Sequence, residues 1–319
     1  MMTPSRSLAS VRARADLPLA VGPAISSADL ALIWFIMTSV LVLIAAPGSN
    51  AINDAVVAIV GTPPLWLSKG EAADFAAPND LKILCRALSP FPIDVNLVSK
   101  SNRRKRLLIA DMDSTMIQQE CIDELGIVAG LGDKIKAITV RAMRGEIDFA
   151  DALRERVGLM AGLDAKVIDN IVRERITFMP GGKTLVATMK AQRAYTALVS
   201  GGFRQFTSKV AASLGFHTNE ANDLIIENGK LTGKVAEPIL GKEAKLKALK
   251  HLSLVNGLAP ADAIAVGDGA NDIPMLQAAG MGVALHAKPK VQQAVSLRIN
   301  HGDLTALLFL QGYKKAEFA

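Results

Sequence analysis

The sequence predicts an α/β fold with a doubly wound, mostly parallel β-sheet, and three observations support this. Short continuous apolar runs recur along the chain, segments with helical periodicity separate them, and most of them end at Asp, Ser or Gly. Strands of a parallel sheet are buried on both faces, so they read as uninterrupted apolar runs. Alternation of such runs with helices is typical of a sheet that carries helices on both faces. The four runs that predict the sheet are Leu107–Ala110, Tyr195–Val199, Ala263–Val266 and Gly282–Leu285.

Composition narrows the class of protein. The chain has 319 residues, of which 50% are hydrophobic and 21% charged, so it is long and apolar enough for a buried core and is not a disordered chain. Its two cysteines, Cys85 and Cys121, are isolated, which excludes a disulfide scaffold and favours reduced thiols. A net charge of +6 permits anionic partners without specifying one.

The mean hydropathy of +0.29 draws attention to an apolar stretch at Leu30–Ala46. Its length is close to the ~17 residues that a membrane-spanning helix needs at minimum, so an anchor over residues 30–46 is one interpretation. Thr38 and Ser39 interrupt the stretch, however, and Val40–Ile44 is a short β-branched run that favours a buried strand. We expect the folded strand, with no membrane contact, and keep the anchor and a cleaved signal as alternatives.

Met37 divides the N-terminal region. A chain that starts there would open directly on the predicted strand, so residues 1–36 are expected to be an extension that is disordered or not native. From residue 37 to 100, short apolar runs alternate with helical patterns, which predicts a small α/β domain. The basic segment Ser101–Arg106 comes next; it lacks the interleaved aromatic residues of a nucleic-acid arm, so we expect a solvated linker and no nucleic-acid partner. A second domain then spans residues 101–319.

Polar residues come directly after three predicted strands of the second domain. They are Asp111-Met112-Asp113-Ser114-Thr115, Ser200-Gly201-Gly202 and Gly267-Asp268-Gly269-Ala270-Asn271-Asp272. In open α/β sheets, ligands bind beyond the carboxyl ends of the strands, where these segments meet. Asp111 and Asp113, two residues apart, can point to the same side, and Asp268 adds a third carboxylate. Such an oxygen-rich cluster suits Mg²⁺.

Two further features would complete a phosphate site. Lys245, on the helical stretch before the third strand, could neutralise a phosphate beside the carboxylates. The glycines at 201 and 202 would let backbone N–H groups approach phosphoryl oxygens, and Ser200 would add a hydroxyl donor. Each feature taken alone has an ordinary structural explanation, such as a helix cap or a solvated helix face.

In their order along the chain, these four segments resemble the four motifs of the haloacid dehalogenase superfamily, and their particular residues are similar to those of phosphoserine phosphatases. The match covers about residues 105–300. It implies a Rossmann-like core with a small helical cap, about residues 118–178, inserted after the first strand. The N-terminal domain more weakly resembles the ACT-like regulatory modules that precede some phosphoserine phosphatases.

The resemblance also implies roles for single residues. Asp111 would be the nucleophile, and Asp113 would protonate the leaving group and then activate water. Mg²⁺ would be held by Asp111, the backbone carbonyl of Asp113, and Asp268, with Asp272 supporting its waters. The phosphoryl group would be bound by Ser200, Gly201, Lys245 and Asn271. In the cap, Glu120 would bind a substrate ammonium, Arg156 a carboxylate, and Met143 and Phe149 would close over the site.

Taken together, the resemblance implies a Mg²⁺-dependent phosphatase that converts O-phospho-L-serine to L-serine through an aspartyl-phosphate, as the last step of L-serine biosynthesis. Such an enzyme is expected in the cytoplasm and could form a homodimer. An alternative keeps the chemistry but changes the substrate to phosphothreonine, a homoserine phosphate or another small ester, or the reaction to phosphotransfer. A non-enzymatic relic would have lost an essential carboxylate, and all of them are present.

Overall fold

The computed structural model describes residues 38–319. The expectations for residues 1–36, and the first part of the stretch interpreted as an alternative anchor, residues 30–37, lie outside the described residues. The remainder of that stretch contains the predicted strand, because β1 (Ser39–Ala45) is buried along its whole length. Within the described range, no helix has the length and apolarity needed to cross a bilayer.

The first part of the chain forms a four-stranded antiparallel sheet. Its elements are β1, α1 (Asp54–Val60), β2 (Leu65–Ser68), β3 (Ala72–Ala76), α2 (Leu81–Leu88) and β4 (Ile93–Ser99), with the strand order β2-β3-β1-β4. Helix α1 begins at Asn53, whose side chain accepts two backbone N–H groups, and ends at Gly61 in the left-handed region. This β-α-β-β-α-β order is the split βαβ arrangement. The ACT-like identity of this unit stays a prediction.

The second part contains the predicted parallel sheet. Its strands are β5 (Leu107–Ala110), β6 (Tyr195–Phe203), β7 (Thr218–Asn222), β10 (Ala263–Gly267), β11 (Met281–Leu285) and β12 (Leu297–Ile299), in the order β12-β11-β10-β5-β6-β7. Residue Leu107 is level with Tyr195 of β6 and with Ala263 of β10, so the carboxyl ends of the three central strands lie at one edge. The doubly wound α/β prediction is confirmed.

Helices and one hairpin surround this sheet. Between β5 and β6 lie α3 (Cys121–Val128), α4 (Gly132–Met143), α5 (Phe149–Gly158), α6 (Lys166–Glu174) and α7 (Gly182–Ala191). They are followed by α8 (Arg204–Leu214), the antiparallel hairpin β8 (Leu224–Glu227) and β9 (Lys230–Val235), α9 (Lys242–Val255), α10 (Ile273–Ala278), α11 (Pro289–Ala294) and α12 (Ala306–Leu310). Ile117 and Phe178 form an isolated antiparallel bridge at the base of the helical segment α3–α6, which is therefore an insertion, here called the cap.

Alternating side chains of the central strands build a separate apolar layer on each face of the sheet. Leu107 and Ile109 pack on the side of α9 and α10, whereas Leu108 lies on the side of α7 and α8. The second layer continues without a break into one face of the N-terminal sheet, where it includes Val40 and Val42. The two sheets therefore share one core.

The basic segment between the two sheets is not the solvated linker that its charge predicts. Arg103 is largely buried and donates to both carboxylate oxygens of Asp74 on β3, at 2.5 and 2.8 Å. The same guanidinium donates to the carbonyls of Phe309 and Leu310 at the end of helix α12. Lys105 is also buried and donates to the carbonyl of Ala261 at 2.7 Å. The segment ties β3, the central sheet and the C-terminal helix together.

Strand β4 of the first sheet is hydrogen-bonded to β12 of the parallel sheet and to the loop after β12. The buried Asp94 carboxylate accepts the backbone N–H groups of Asn300, His301 and Gly302, at 2.7 to 3.2 Å. The Asn96 amide accepts the backbone N–H of Arg298 at 2.8 Å and donates to its carbonyl at 3.0 Å. Side chains of an edge strand thus satisfy the free backbone groups of β12 and the loop after it.

Candidate active site

Three carboxylates meet at the carboxyl edge of the parallel sheet. Asp111 comes directly after β5, whereas Asp268 and Asp272 lie in the turn between β10 and α10. All three are buried, and one oxygen from each lies within 4.8 Å of the others. Asp111 and Asp268 are the two carboxylates that the sequence predicts at this edge. The carboxylate of Asp272, for which the resemblance implies a role in supporting the waters of the metal, lies beside them.

Lys245 of α9 partly neutralises this cluster. Its Nζ lies 2.6 Å from Oδ1 of Asp111 and 2.5 Å from Oδ1 of Asp272, and the side chain is 3% exposed. Burial lowers the pKa of Lys245, but the two carboxylates outweigh burial and raise it overall, so the ammonium stays charged. Burial, followed by the charge of Asp272, raises the pKa of Asp111, and Lys245 opposes that shift.

Asp268 has weaker partners than the other two carboxylates. Thr115 donates to its Oδ1 at 3.3 Å, and the Nζ of Lys288 lies 3.9 Å from its Oδ2. Burial, and then repulsion by Asp272, raises the pKa of Asp268. A buried set of oxygen donors that repel one another in this way fits a hard divalent cation, which would restore the charge balance. Asp111 and Asp268 are therefore the carboxylates that could hold a metal, and Asp272 lies close enough to support it.

Asp113 lies beside the cluster, and its carboxylate is not part of it. Its Oδ2 accepts the hydroxyl of Ser200 at 2.9 Å, and its Oδ1 accepts the backbone N–H of Cys121, the first residue of helix α3, at 2.8 Å. The carboxylate is thus oriented by the sheet on one side and by a helix N-terminus of the cap on the other. This geometry suits a group that exchanges a proton with a ligand in the cleft.

The glycines of these segments allow close approach. Strand β6 runs past the predicted end at Val199 as far as Phe203, with an irregular register, which carries Ser200 and Gly201 over the site. A Cβ added at Gly202 would lie 3.0 Å from both Oδ2 of Asp113 and Oγ of Ser200. A side chain at Gly269 would overlap Oδ1 of Asn271. Both positions therefore favour glycine for steric reasons.

A cleft of about 260 Å³ opens above these groups. Cap residues Glu120 and Arg156 line it together with Asp111 and Asp113. The lining also includes several of the remaining predicted residues, namely Phe149, Ser200, Gly201, Asp268 and Asn271. Lys245 lies behind Asp111 in the wall. The predicted site residues that the structure describes are therefore assembled in one place.

Glu120 is held at the mouth of this cleft. The hydroxyl of Ser114, a residue in the left-handed region with φ of 55°, donates to its carboxylate at 2.8 Å. Part of Glu120 is exposed. Desolvation within the cleft and then repulsion from Asp113 nevertheless raise the pKa of Glu120 to about 7, and the hydrogen bond from Ser114 opposes that rise. A cationic ligand group beside Glu120 would relieve this repulsion.

Arg156 projects from α5 into the same cleft. Its Nε donates to the carbonyl of Ala152 at 3.1 Å, and among the described residues it forms no ion pair. Burial lowers its pKa, while the charges of Asp123 and Glu120 raise it. A guanidinium in this position can bind an anionic group of a ligand through its free N–H groups.

Phe149 marks the rim of the cleft on the cap side. A Cβ built at Gly201 would lie 3.3 Å from its ring, so the ring covers the backbone of β6 at that point. Met143 is the last residue of α4, and its side chain is not among those described. A larger groove of about 1270 Å³ lies on the other side of Phe149, but its lining lacks the carboxylate cluster. The chemistry therefore belongs to the smaller cleft.

Sequence reasoning missed Lys288 and Thr115 as parts of the site. Lys288 lies in the loop after β11, which was a predicted strand whose carboxyl end meets the same edge. The signal that could have found Lys288 is its position just beyond this fourth strand, since polar residues beyond the other three strands were recognised on that ground.

Comparison with known proteins places this geometry in a family. The model of the haloacid dehalogenase-like hydrolases matches residues 108–277. A phosphoserine phosphatase of Lactococcus lactis is 47% identical over 204 residues, which cover 64% of this chain and 94% of that protein. The chain spans between 52% and 65% of the length of four other curated phosphoserine phosphatases.

Two solved structures extend the comparison. A haloacid dehalogenase family hydrolase of Salmonella enterica serovar Typhi aligns with a TM-score of 0.77 and 29% identity, and covers 85% of this chain and 97% of its own. A phosphoserine phosphatase described as a phospho-aspartyl intermediate analogue aligns with a TM-score of 0.60 and 36% identity, over 64% of this chain and 98% of its own. The alignment with the Salmonella hydrolase covers 85% of this chain, so it extends beyond the part that forms the parallel sheet.

Proposed function

Since the chain belongs to the haloacid dehalogenase-like hydrolase family, we propose that it is a phosphatase that hydrolyses O-phospho-L-serine to L-serine and phosphate. One observation carries the proposal: Glu120 and Arg156 of the cap line the same small cleft as Asp111 and Asp113. A carboxylate and a guanidinium at the mouth match the ammonium and carboxylate of an amino acid, and its phosphate would then reach the carboxylates below. The reaction would be the last step of L-serine biosynthesis.

In the first step, an oxygen of Asp111 attacks phosphorus while the bond between phosphorus and the seryl oxygen breaks. The ammonium of Lys245, 2.6 Å from Oδ1 of Asp111, opposes the rise in the pKa of Asp111 that burial causes, and so favours the ionised form that a nucleophile requires. Asp113 enters this step protonated and gives its proton to the seryl oxygen, which leaves as the hydroxyl of serine. The phosphoryl group is then an ester of Asp111.

In the second step, water attacks this aspartyl-phosphate and releases inorganic phosphate. Asp113, now ionised, accepts a proton from the water, so its starting state is restored. The hydrogen bond from the backbone N–H of Cys121 holds the Asp113 carboxylate in one orientation for both transfers. The Ser200 hydroxyl donates to Asp113 in this structure and would turn to the phosphoryl group when the substrate is bound. The similarity to the structure described as a phospho-aspartyl intermediate analogue supports this route.

The phosphoryl group would be bound by donors that converge on the edge of the sheet. They are the Ser200 hydroxyl, the backbone N–H of Gly201, the Lys245 ammonium and the Asn271 amide. Fixed donors of this kind stabilise the charge that spreads over the phosphoryl oxygens in the transition state.

Magnesium fits the donor set of this site. Asp111 and Asp268 would hold the ion together with the backbone carbonyl of Asp113, and Asp272 would lie close by. When bound, the ion supplies positive charge that offsets the repulsion between the carboxylates and the phosphoryl oxygens.

We also propose a division of the chain near residue 100, with residues 37–100 as an ACT-like regulatory domain and residues 101–319 as the phosphatase domain. The split βαβ order of the first sheet supports this division. The homodimer and the cytoplasmic location stay predictions.

Phosphate release from O-phosphoserine, O-phosphothreonine and sugar phosphates, each with and without Mg²⁺, tests the proposed function. We expect phosphoserine to be the best substrate and activity to require the ion. Faster hydrolysis of sugar phosphates than of phosphoserine would overturn the proposal, and phosphothreonine as the best substrate would favour the alternative.

The variant Arg156→Ala tests substrate recognition, because it should impair phosphoserine turnover while sparing a small ester without a carboxylate. Equal losses on both would remove Arg156 from substrate recognition.

A further inference from the structure

Lys288 occupies an unassigned position at the mouth of the cleft. It lies between β11 and α11, where its backbone N–H donates to the carbonyl of Asp268 at 3.2 Å. The preceding His286 is in the left-handed region, and its N–H donates to the carbonyl of Ile299 at 2.8 Å. Pro289 begins the next helix. The backbone of Lys288 is therefore fixed, while its side chain is 63% exposed and lines the cleft.

The lining of the cleft around the Lys288 side chain carries more negative than positive charge. Four carboxylates line the cleft, from Asp111, Asp113, Glu120 and Asp268, whereas Arg156 and Lys288 are the cations of the same lining. Lys245 is enclosed between two carboxylates behind the wall. A phosphate dianion that enters such a cleft meets repulsion before it reaches the donors at the bottom.

Lys288 is free to bind an anion. Its Nζ lies 3.9 Å from Oδ2 of Asp268, which is an ion pair at long range but is beyond hydrogen-bond distance. Its charge acts on both sides of the cleft, because it opposes the rise in the pKa of Asp268 and also the rise in the pKa of Glu120. A lysine on a fixed backbone, whose ammonium donates no hydrogen bond within residues 38–319, is a point-charge ligand for phosphate.

We propose that Lys288 binds the phosphate group at the mouth of the cleft, both in the entering substrate and in the inorganic phosphate that leaves. This inference rests on the proposed function. Lys288 would act on capture and release, whereas the donors around Ser200 and Lys245 would act on the transition state. Its loss should therefore raise the KM for the phosphate ester and weaken phosphate binding, with little effect on kcat.

Lys288→Gln tests this directly, with Lys290→Gln as the matched control. Lys290 is an exposed lysine two residues away that lines the larger groove instead. For Lys288→Gln we expect KM for O-phosphoserine to rise about 5- to 20-fold, the size of one partly exposed charge-assisted hydrogen bond, with kcat within about twofold of wild type. Lys288→Arg should recover most of the loss, and Lys290→Gln should behave as wild type.

A binding measurement separates this inference from the proposed function. Calorimetric titration of inorganic phosphate into the protein with Mg²⁺ needs no substrate, and we expect Lys288→Gln to lose affinity by the same 5- to 20-fold. Unchanged affinity, or an equal loss in Lys290→Gln, would overturn the inference. A shift confined to Mg²⁺ affinity would also overturn it, because Lys288 would then serve only as the counter-charge of Asp268. If phosphoserine is not hydrolysed by the wild type, the proposed function fails, and the phosphate titration still decides the role of Lys288.

Discussion

The junction between the two sheets makes a strong prediction about stability, which Arg103→Ala tests. The substitution removes the partner of Asp74 and leaves that carboxylate buried, with 7% of the residue exposed. It also removes the donor to the carbonyl of Leu310 and one of the two donors to the carbonyl of Phe309, at the end of α12. Because the two sheets share one apolar core, the damage should reach the whole folded chain.

The expected loss in the free energy of unfolding depends on how deeply the ion pair between Arg103 and Asp74 is buried. Removal of one partner from a buried ion pair costs about 3–5 kcal/mol, since the remaining charge has no compensation. A folded domain is stable by only about 5–15 kcal/mol, so this loss is a large part of the total. Arg104 provides the contrast, because its ion pair with Glu317 is partly exposed. Such a pair contributes about 0–1 kcal/mol, to which the contact with the Tyr313 ring adds a similar amount.

Equilibrium unfolding in guanidinium chloride measures both variants. We expect one cooperative transition, a loss of about 3–5 kcal/mol for Arg103→Ala, and a loss of at most about 2 kcal/mol for Arg104→Ala. The double variant Arg103→Ala with Asp74→Ala should be more stable than Arg103→Ala alone, because the orphaned carboxylate is gone. A cost of less than about 1 kcal/mol for Arg103→Ala, or separate unfolding transitions for the two sheets, would refute this reasoning.

Three other predictions concern the site. Asp268→Asn should raise the Mg²⁺ concentration for half-maximal activity at least about tenfold, because one charged ligand is lost, and a metal titration that matches wild type would contradict this. Because the pKa of Glu120 is raised to about 7, the carboxylate loses its charge as the pH falls through 7, so KM for phosphoserine should rise from pH 8 to pH 6. Glu120→Gln should flatten that KM profile, and an identical profile in the variant would assign the effect elsewhere. Gly202→Ala should lower kcat about tenfold or more, because the new Cβ would lie 3.0 Å from Oδ2 of Asp113 and displace it. The thermal unfolding midpoint should stay close to that of the wild type. An unchanged kcat would rule out this steric effect.

The sequence predicts the parallel sheet and its active edge well because both depend on local patterns. Buried strands such as Leu107–Ala110 are continuous apolar runs, and the residue after each run lies at the same edge whatever the rest of the chain does. The resemblance then assigned Glu120 and Arg156 to the cleft, where the structure also has them. Periodicity alone would have left both as ordinary helix charges.

What the sequence could not provide depends on contacts between distant residues. Arg103 reads as part of a solvated basic run, because its partners are Asp74, 29 residues before it, and carbonyls more than 200 residues after it. The hydrogen bond from the N–H of Gly269 to Asp272 depends on a turn that is visible only in three dimensions. The extension of β6 to Phe203 was missed, since glycines normally end a strand and here they continue it.

The most direct test of the central claim tracks the phosphoryl group on Asp111. Wild type and Asp111→Asn are each mixed with O-phosphoserine labelled in the phosphate, in the presence of Mg²⁺, and quenched in acid within the first turnover. We predict that acid-precipitated wild-type protein retains the label, while Asp111→Asn retains none and releases phosphate roughly a thousandfold more slowly or worse. Label retained by Asp111→Asn, or phosphate release at the wild-type rate, would contradict the assignment of Asp111 as the nucleophile.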